Sequence, residues 1–210
     1  MSIELVIFDC DGVLVNTEAV CNGVLAEVIT KAGWTMDGAE CSRRFQGYAL
    51  PDVWAAVESR LGVELGDEVE PDFRQRQSAA LRVAPLDVLG MKSLLDALPV
   101  PCCVASNGPK SKMALTLGQV GFLDRMKGRL FSRSDVRRPK PAPDLFLYAA
   151  EQMGVSPGKA LVVEDSPTGI RAGLSAGMTT VGFCGAGGDR QALEGAHFLI
   201  SRPMQLLALL

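Results

Sequence analysis

The chain has 210 residues, of which 48% are hydrophobic and 21% are charged. These fractions fit one folded globular protein and exclude a disordered or collagen-like chain. Its net charge of −3 provides no basic field for nucleic acid or an anionic membrane, so we expect a protein that binds neither.

Cysteine and histidine usage excludes further kinds of site. The six cysteines include no Cys-x-x-Cys pair, which suits a reducing cytoplasm. His197 is the single histidine, which disfavours a His-dependent triad and a multi-histidine zinc site. Asp9 and Asp11 come too early for a signal-peptide core, and no charge-free apolar stretch is long enough to span a bilayer. We expect a cytoplasmic monomer or weak homodimer.

The first predicted element is a buried strand over residues 5–8, and a long helical region follows it. Residues 16–83 show helical periodicity without a convincing apolar strand run. The predicted helices of this region share apolar spacing and span residues 18–32, 38–45, 51–61 and 67–81. We therefore predict a four-helix insertion at 16–83 in a core domain made of residues 1–15 and 84–210.

Beyond residue 84 the pattern alternates between short apolar runs and helices. The predicted strands are continuous apolar runs at residues 101–105, 160–163, 179–183 and 198–200. Continuous apolarity is typical of strands buried on both faces of a parallel sheet, so the pattern predicts an α/β fold. One helix ends near Gly118, and another begins at Ser166-Pro167 and stops at Gly177. Residues 204–210 form either a final helix packed on the core or a subunit contact.

Two carboxylates follow the first strand directly. Asp9 and Asp11 lie in the run Asp-Cys-Asp-Gly-Val-Leu, at the strand end where open α/β sheets form their ligand crevice. Adjacent buried carboxylates are costly without a metal, an ion pair or protonation. The alternative interpretation is an ordinary turn, because Asp and Gly are common turn residues.

Three further patterns carry candidate chemistry. Ser106-Asn107-Gly108 at a helix start offers a hydroxyl and free amides to phosphate, or else only caps the helix. Lys140 lies among alternating prolines, either as a rigidly held cation or as a solvated basic turn. Glu164-Asp165 ends a later strand and provides either a second acidic site or a helix cap, and two acidic sites at one crevice suit Mg²⁺.

Together these patterns resemble the haloacid dehalogenase-like hydrolases, in the phosphatase and phosphomutase branch with a helical cap. The motifs appear in the family's order, DxDG(V/T)L, SNG, a Pro-flanked Lys and an acidic pair before SxxG, over nearly the whole chain. The resemblance implies a Rossmann-like core, a mobile four-helix cap, and Mg²⁺-dependent hydrolysis of a small phosphate monoester.

The resemblance also implies a role for each matching residue. Asp9 would attack phosphorus and form an aspartyl-phosphate, and Asp11 would protonate the leaving oxygen and then activate water. Ser106 and Asn107 would bind phosphoryl oxygens. Lys140 would pair with Asp9 and neutralise developing charge. The implied metal ligands are Asp9, Asp165, the backbone carbonyl of Asp11 and, directly or through a neighbouring ligand, Glu164.

Other activities remain alternatives at this stage. Asp11 disfavours a true dehalogenase, because dehalogenases similar to this family have no acid at that position. The predicted helix 18–32 lacks the His typical of β-phosphoglucomutase-type enzymes, which favours hydrolysis over isomerisation. A receiver-like signalling domain would have no helical insertion. A non-catalytic phosphate-binding protein would not need both Asp9 and Asp11.

Substrate recognition is expected from the predicted helical insertion. Arg44 and Gly47 lie where related enzymes read the leaving group, and Gly47 would allow close backbone approach. Arg44 is alternatively a solvated helix-end residue. The stretch from Ser106 to Met113, with the loop of Lys140, is similar to bacterial sugar-phosphate phosphatases, including the 6-phosphogluconate phosphatase type. We expect a small sugar phosphate or a related metabolite as the substrate.

Overall fold

The computed structural model describes residues 2–45, 48, 50–185 and 190–210, and the chain divides into two compact units. The sheet unit comprises Met1–Asn16 and Leu86–Leu210, and the helical unit comprises Thr17–Pro85. Gly47 lies outside the described residues, so its predicted role stays a prediction.

The described part of the sheet unit contains one six-stranded parallel sheet, in the order β3-β2-β1-β4-β5-β6. Its strands, in chain order, are β1 Leu5–Phe8, β2 Cys102–Ser106, β3 Leu130–Ser132, β4 Ala160–Glu164, β5 Thr179–Phe183 and β6 Phe198–Ile200. Every residue of β1, β2 and β4 is buried, as expected for strands covered on both faces. The predicted α/β fold is confirmed.

Eight α-helices complete the described chain. Those of the helical unit are α1 Glu18–Lys31, α2 Gly38–Phe45, α3 Leu50–Leu61 and α4 Val69–Val83. Those of the sheet unit are α5 Met91–Ala97, α6 Lys110–Gln119, α7 Asp144–Gln152 and α8 Pro167–Ser175. None of the helices in the described ranges is long and apolar enough to cross a membrane.

Each unit has its own apolar core. In the sheet unit, β1, β2 and β4 pack against buried residues of α7 and α8, including Phe146 and Ala172. In the helical unit, Ile29 of α1 packs with Cys41 of α2 and Phe73 of α4. The helices of this unit bury their apolar faces in this core and expose their charged faces to solvent.

Several predicted boundaries needed correction. The second strand is Cys102–Ser106 and not 101–105, and α4 runs from Val69 to Val83 and not over 67–81. The predicted C-terminal helix is a 3-10 helix, Pro203–Leu209, which begins at a proline and buries Leu206. Three further elements, β3, α5 and α7, were not predicted from the sequence.

The position of β1 determines where the site lies. Val6 pairs with Cys102 of β2 on one side, and Leu5 pairs with Ala160 of β4 on the other. The chain order reverses at β1, which is the point where open α/β sheets bind ligands beyond the carboxyl ends of their strands. The residues that follow β1, β2 and β4 therefore meet at one edge of the sheet.

Candidate active site

A buried lysine lies at the centre of this edge. Lys140 is 6% exposed, and its Nζ donates to Asp9 Oδ1 at 2.6 Å, to Glu164 Oε1 at 2.6 Å and to the Ala105 carbonyl at 2.7 Å. An ammonium group has three N–H donors, so these acceptors use all of them. The Phe146 ring lies beneath the ammonium, 4.6 Å from Nζ to the ring centroid. Lys140 therefore connects the ends of β1, β2 and β4.

The charges in this cluster support one another. Burial alone would lower the pKa of Lys140, but Asp9 and Glu164 outweigh burial and raise that pKa above its ordinary value. Lys140 is thus a permanent cation. Burial raises the pKa of Asp9, Lys140 opposes this shift, and the negative charges of Glu164 and Asp11 add to it.

Glu164 is held by the start of α8. Its Oε2 accepts hydrogen bonds from the Ser166 hydroxyl at 2.8 Å and the Ser166 N–H at 3.1 Å. The Ser166 hydroxyl oxygen in turn accepts the Gly169 N–H at 3.0 Å and caps α8, as Ser at this position does. A Cβ at position 169 would overlap the Glu164 carboxylate, so the glycine makes room for it. Both Glu164 oxygens are therefore engaged.

Asp165 lies against the loop that follows β1. Gly12 has a φ of +78°, and a Cβ there would overlap Asp165 Oδ2. Burial raises the pKa of Asp165 well above its ordinary value, and the charges of Asp9 and Glu164 raise it further. The loop thus brings a third carboxylate next to a cluster that holds one cation.

Asp11 has a cation of its own. Its Oδ1 lies 2.9 Å from Lys112 Nζ on α6, and the Asp11 side chain is 31% exposed. Lys112 was not predicted as a site residue, because the sequence does not distinguish a lysine that binds a carboxylate from one that is solvated in the first turn of a helix. The pair holds Asp11 on the side of the crevice that faces α6.

Two residues of the Ser-Asn-Gly segment, Ser106 and Asn107, make different contacts. Ser106 is 3% exposed, and its Oγ accepts the Gly108 N–H at 3.1 Å, which leaves the hydroxyl proton for another acceptor. Asn107 instead bonds the backbone of Lys140: its Nδ2 donates to the Lys140 carbonyl and its Oδ1 accepts the Lys140 N–H, both at 3.1 Å. Its predicted role in phosphate binding stays a prediction.

The structure brings most of the predicted site residues together in the sheet unit. They are Asp9, Asp11, Ser106, Asn107, Lys140, Glu164 and Asp165. Arg44 belongs to the helical unit, where it pairs with Glu40 at 2.9 Å and lies 4.9 Å from the Trp34 ring centroid. His197 lies just before β6, and its Nδ1 accepts the Thr180 N–H at 3.1 Å.

The donor set fits a hard divalent cation. Asp9, Glu164 and Asp165 share one region with Lys140 as their cation, and burial, with the negative charges of Asp9 and Glu164 added to it, raises the pKa of Asp165. In the described residues no group of three or more Asp, Glu, His or Cys side chains forms a complete ligand cage. Mg²⁺ needs no such cage, because it takes one or two carboxylates together with water and substrate phosphate. Asp9 and Asp165 are the carboxylates available for it.

The fold and the site define an α/β enzyme with paired acids and a buried lysine beyond the central strand. The family model described as haloacid dehalogenase-like hydrolase matches residues 3–177. The chain therefore belongs to the haloacid dehalogenase-like hydrolases, and it is a hydrolase, as the sequence resemblance predicted.

Known relatives and structures agree with this membership. The 6-phosphogluconate phosphatase of Escherichia coli is 36% identical over 183 residues, which cover 87% of this chain and 83% of the relative. A haloacid dehalogenase-like protein of unknown function from Agrobacterium tumefaciens superposes with a TM-score of 0.87 at 32% identity, over 99% of this chain and 97% of the other. A family hydrolase from Deinococcus radiodurans, solved with bound phosphate and sodium, has a TM-score of 0.83 at 30% identity, over 99% and 94%.

Proposed function

We propose that this protein is a Mg²⁺-dependent phosphatase that hydrolyses a small sugar phosphate through an aspartyl-phosphate on Asp9. The observation that carries the proposal is the buried ion cluster in which Lys140 Nζ contacts both Asp9 and Glu164 at 2.6 Å. A carboxylate fixed by a permanent cation at a ligand crevice suits attack on an anionic phosphoryl group.

In the first step, an Asp9 oxygen forms a bond to phosphorus while the bond from phosphorus to the ester oxygen breaks. Lys140 holds Asp9 through Oδ1, so Oδ2 is the atom available for attack. Asp11 donates its proton to the departing oxygen, which leaves as an alcohol. The Asp11–Lys112 contact at 2.9 Å fixes the direction of that carboxyl group.

In the second step, water attacks the same phosphorus and Asp11 accepts a proton from it. The bond between Asp9 and phosphorus breaks, which releases phosphate and restores the Asp9 carboxylate. The Ser106 hydroxyl donates a hydrogen bond to a phosphoryl oxygen, and Lys140 balances the charge that develops on the phosphoryl group. A Mg²⁺ ion held by Asp9, Asp165 and the Asp11 carbonyl would add charge neutralisation and orientation.

Glu164 supports Lys140 in this proposal. Its Oε1 accepts from Lys140 and its Oε2 accepts twice from Ser166, so both Glu164 oxygens already serve protein donors. We therefore assign Glu164 to holding the lysine and assign the metal to its neighbour Asp165.

The substrate class follows from the relatives. The 36% identical Escherichia coli protein is a 6-phosphogluconate phosphatase, which supports a phosphorylated sugar or sugar acid here. We propose that the helical unit, residues 17–85, is the cap that selects the leaving group, as the sequence resemblance implied. Arg43 of this unit is exposed and is a candidate for a substrate anion beside Arg44, which pairs with Glu40. A cytoplasmic setting is proposed because Cys10, Cys41 and Cys103 are free thiols.

Phosphate release from a panel of monoesters tests this function. The panel contains 6-phosphogluconate, neutral sugar phosphates, phosphoglycolate and nucleotides, each with Mg²⁺ and with a chelator. We expect selective, Mg²⁺-dependent release that Asp9→Asn abolishes and that Asp124→Asn, which alters an exposed carboxylate, leaves intact. Equal release by Asp9→Asn would overturn the mechanism. Conversion of glucose 1-phosphate to its isomer would instead establish a mutase.

A further inference from the structure

We propose that Asn107 is a positioning residue that holds the backbone of Lys140 in place and that its side chain does not bind phosphate. The inference deepens the proposed function and rests on it for its kinetic consequence. The sequence resemblance implied that Ser106 and Asn107 both bind phosphoryl oxygens, and in the structure the Asn107 side chain bonds the backbone of Lys140.

The contact resembles one step of a β-ladder made by a side chain. Asn107 Nδ2 donates to the Lys140 carbonyl and Oδ1 accepts the Lys140 N–H, each at 3.1 Å across 33 residues of sequence. A primary amide is the side chain that offers a donor and an acceptor side by side, so it satisfies both polar groups of one residue. Asn107 therefore attaches the Lys140 loop to the end of β2.

The loop has few other means of attachment. Pro139, Pro141 and Pro143 have no N–H group, so they cannot donate hydrogen bonds. One backbone bond within the loop, from the Ala142 N–H to the Pro139 carbonyl, closes a local turn without joining the loop to the sheet. The Asn107 contacts supply the connection that the prolines cannot.

The ammonium end of Lys140 requires this connection. Its Nζ lies 2.6–2.7 Å from three acceptors at the carboxyl ends of three different strands. A four-carbon stem has large rotamer freedom, so a fixed Cα position is needed to keep Nζ at that point. A shift of about 1 Å at a catalytic group costs about 10²-fold in rate. Asn107 and the three acceptors thus hold Lys140 from both ends.

Hydrogen exchange and phosphate binding separate this role from direct phosphate binding. A peptide spanning residues 138–144 contains three prolines and therefore reports on few amides. The Lys140 amide is among those few. We would compare the wild type with Asn107→Ala and with two controls. Ser106→Ala removes the neighbouring hydroxyl, and Arg138→Gln removes an exposed ion pair to Asp144 in the same loop.

We expect Asn107→Ala to exchange the Lys140 amide at least about tenfold faster. Its kcat falls by about 10- to 100-fold, while its Kd for inorganic phosphate rises less than that of Ser106→Ala. Ser106→Ala should show the reverse, with weaker phosphate binding and unchanged exchange. Arg138→Gln should keep wild-type turnover.

Either of two results overturns the proposal: unchanged exchange in Asn107→Ala, or a loss of phosphate affinity equal to that of Ser106→Ala. If Asn107→Ala does not fold, Asn107→Asp replaces it. Asp keeps the acceptor for the Lys140 N–H but places an oxygen against the Lys140 carbonyl, so kcat must still fall, and wild-type kcat would overturn the proposal. If the wild type releases no phosphate from any monoester, the proposed function fails while the exchange experiment still decides the role of Asn107.

Discussion

Charged side chains are stabilised differently in the sheet unit and in the helical unit. Lys140 of the sheet unit is 6% exposed and bonds carboxylates that are 131 and 24 residues away in sequence. In the helical unit, Arg44, Arg74 and Arg76 each pair with a carboxylate four residues earlier, and the arginine side chains are 42–48% exposed.

The difference between exposed and buried ion pairs indicates which charged residues belong to the candidate site. A pair at i and i+4 forms whenever its helix forms and contributes about 0.2–0.5 kcal/mol. A buried cluster pays a large desolvation cost and exists only after distant strands have assembled. In the part of the chain that the structure describes, the buried charged residues are Asp9, Lys140 and Glu164, and they form a single cluster. Burial of charge therefore coincides with the candidate site.

Removal of the central cation should have the largest effect. Lys140→Met leaves Asp9 and Glu164 buried without a counter-charge, which costs about 3–5 kcal/mol of stability. Turnover should fall by about 10³-fold or more. The stability deficit should shrink from pH 8 to pH 5, because Asp9, whose pKa burial raises in the folded state, takes up a proton as pH falls. Denaturant melts at both pH values and phosphate release measure this. Lys110→Met, at an exposed pair, is the control, and equal loss in both variants would contradict the comparison.

Replacement of a helical glycine by alanine should lower stability at Gly169 of the sheet unit and raise it at Gly23 of the helical unit. Gly169→Ala in α8 drives a Cβ into the Glu164 carboxylate, so we expect a lower Tm and about 10- to 100-fold slower turnover. Gly23→Ala in α1 meets no atom within 4 Å. It should stabilise the chain by about 0.5–1 kcal/mol, because Ala favours a helix. Stabilisation by both substitutions would show that Glu164 has room to move.

Breaking a local pair of the helical unit should have little effect. Arg76→Gln removes the contact to Asp72 at 2.9 Å, and we expect the free energy of unfolding to fall by no more than about 0.5 kcal/mol. Urea denaturation at low and at high salt measures this, and high salt should erase the difference. A loss above about 2 kcal/mol would place this pair with the buried cluster.

The exposed ion pair between Arg138 and Asp144 lies in the sheet unit. It therefore tests whether the contribution of an ion pair to stability depends on its burial or on the unit in which it lies. Hydrogen bonds from Arg138 hold the pKa of Asp144 below its usual value. The stability from this pair is present above the unfolded-state pKa and is lost as pH falls through the folded pKa. Asp144→Asn should therefore match the wild type at low pH and fall slightly below it near neutral pH, by less than about 2 °C in Tm. A pH series of thermal melts measures the difference, and a larger shift would mean that location matters more than burial.

Local signals explain which elements the sequence predicted. The runs at 5–8, 179–183 and 198–200 match strands, and Ser166-Pro167 starts α8 as predicted. Leu130–Ser132 was missed because its two apolar residues lie between Arg129 and the polar pair Ser132-Arg133, whereas β6, of equal length and also at an edge, has three apolar residues in a row.

The site was predictable as a set of residues but not as a set of contacts. Paired acids, a Pro-flanked lysine and strand ends are visible in sequence, and parallel strands bring their carboxyl ends to one edge. The partner of Asn107 lies 33 residues away, and no spacing rule connects an amide to a particular backbone group at that distance. Lys112 was missed for the same reason, because its contact to Asp11 depends on how α6 follows β2.

The central place of β1 also dictates an order of assembly. A ribosome finishes all four helices of the helical unit before it makes either neighbour of β1, since Val6 pairs with Cys102 and Leu5 with Ala160. Contacts within helices form faster than pairings between distant strands, so β1 waits as an unpaired apolar segment while Thr17–Pro85 folds. Arrival of β4 pairs the second side of β1 and sets Glu164 beside Lys140. The buried ion cluster can therefore assemble before β5 and β6 extend the sheet at its edge.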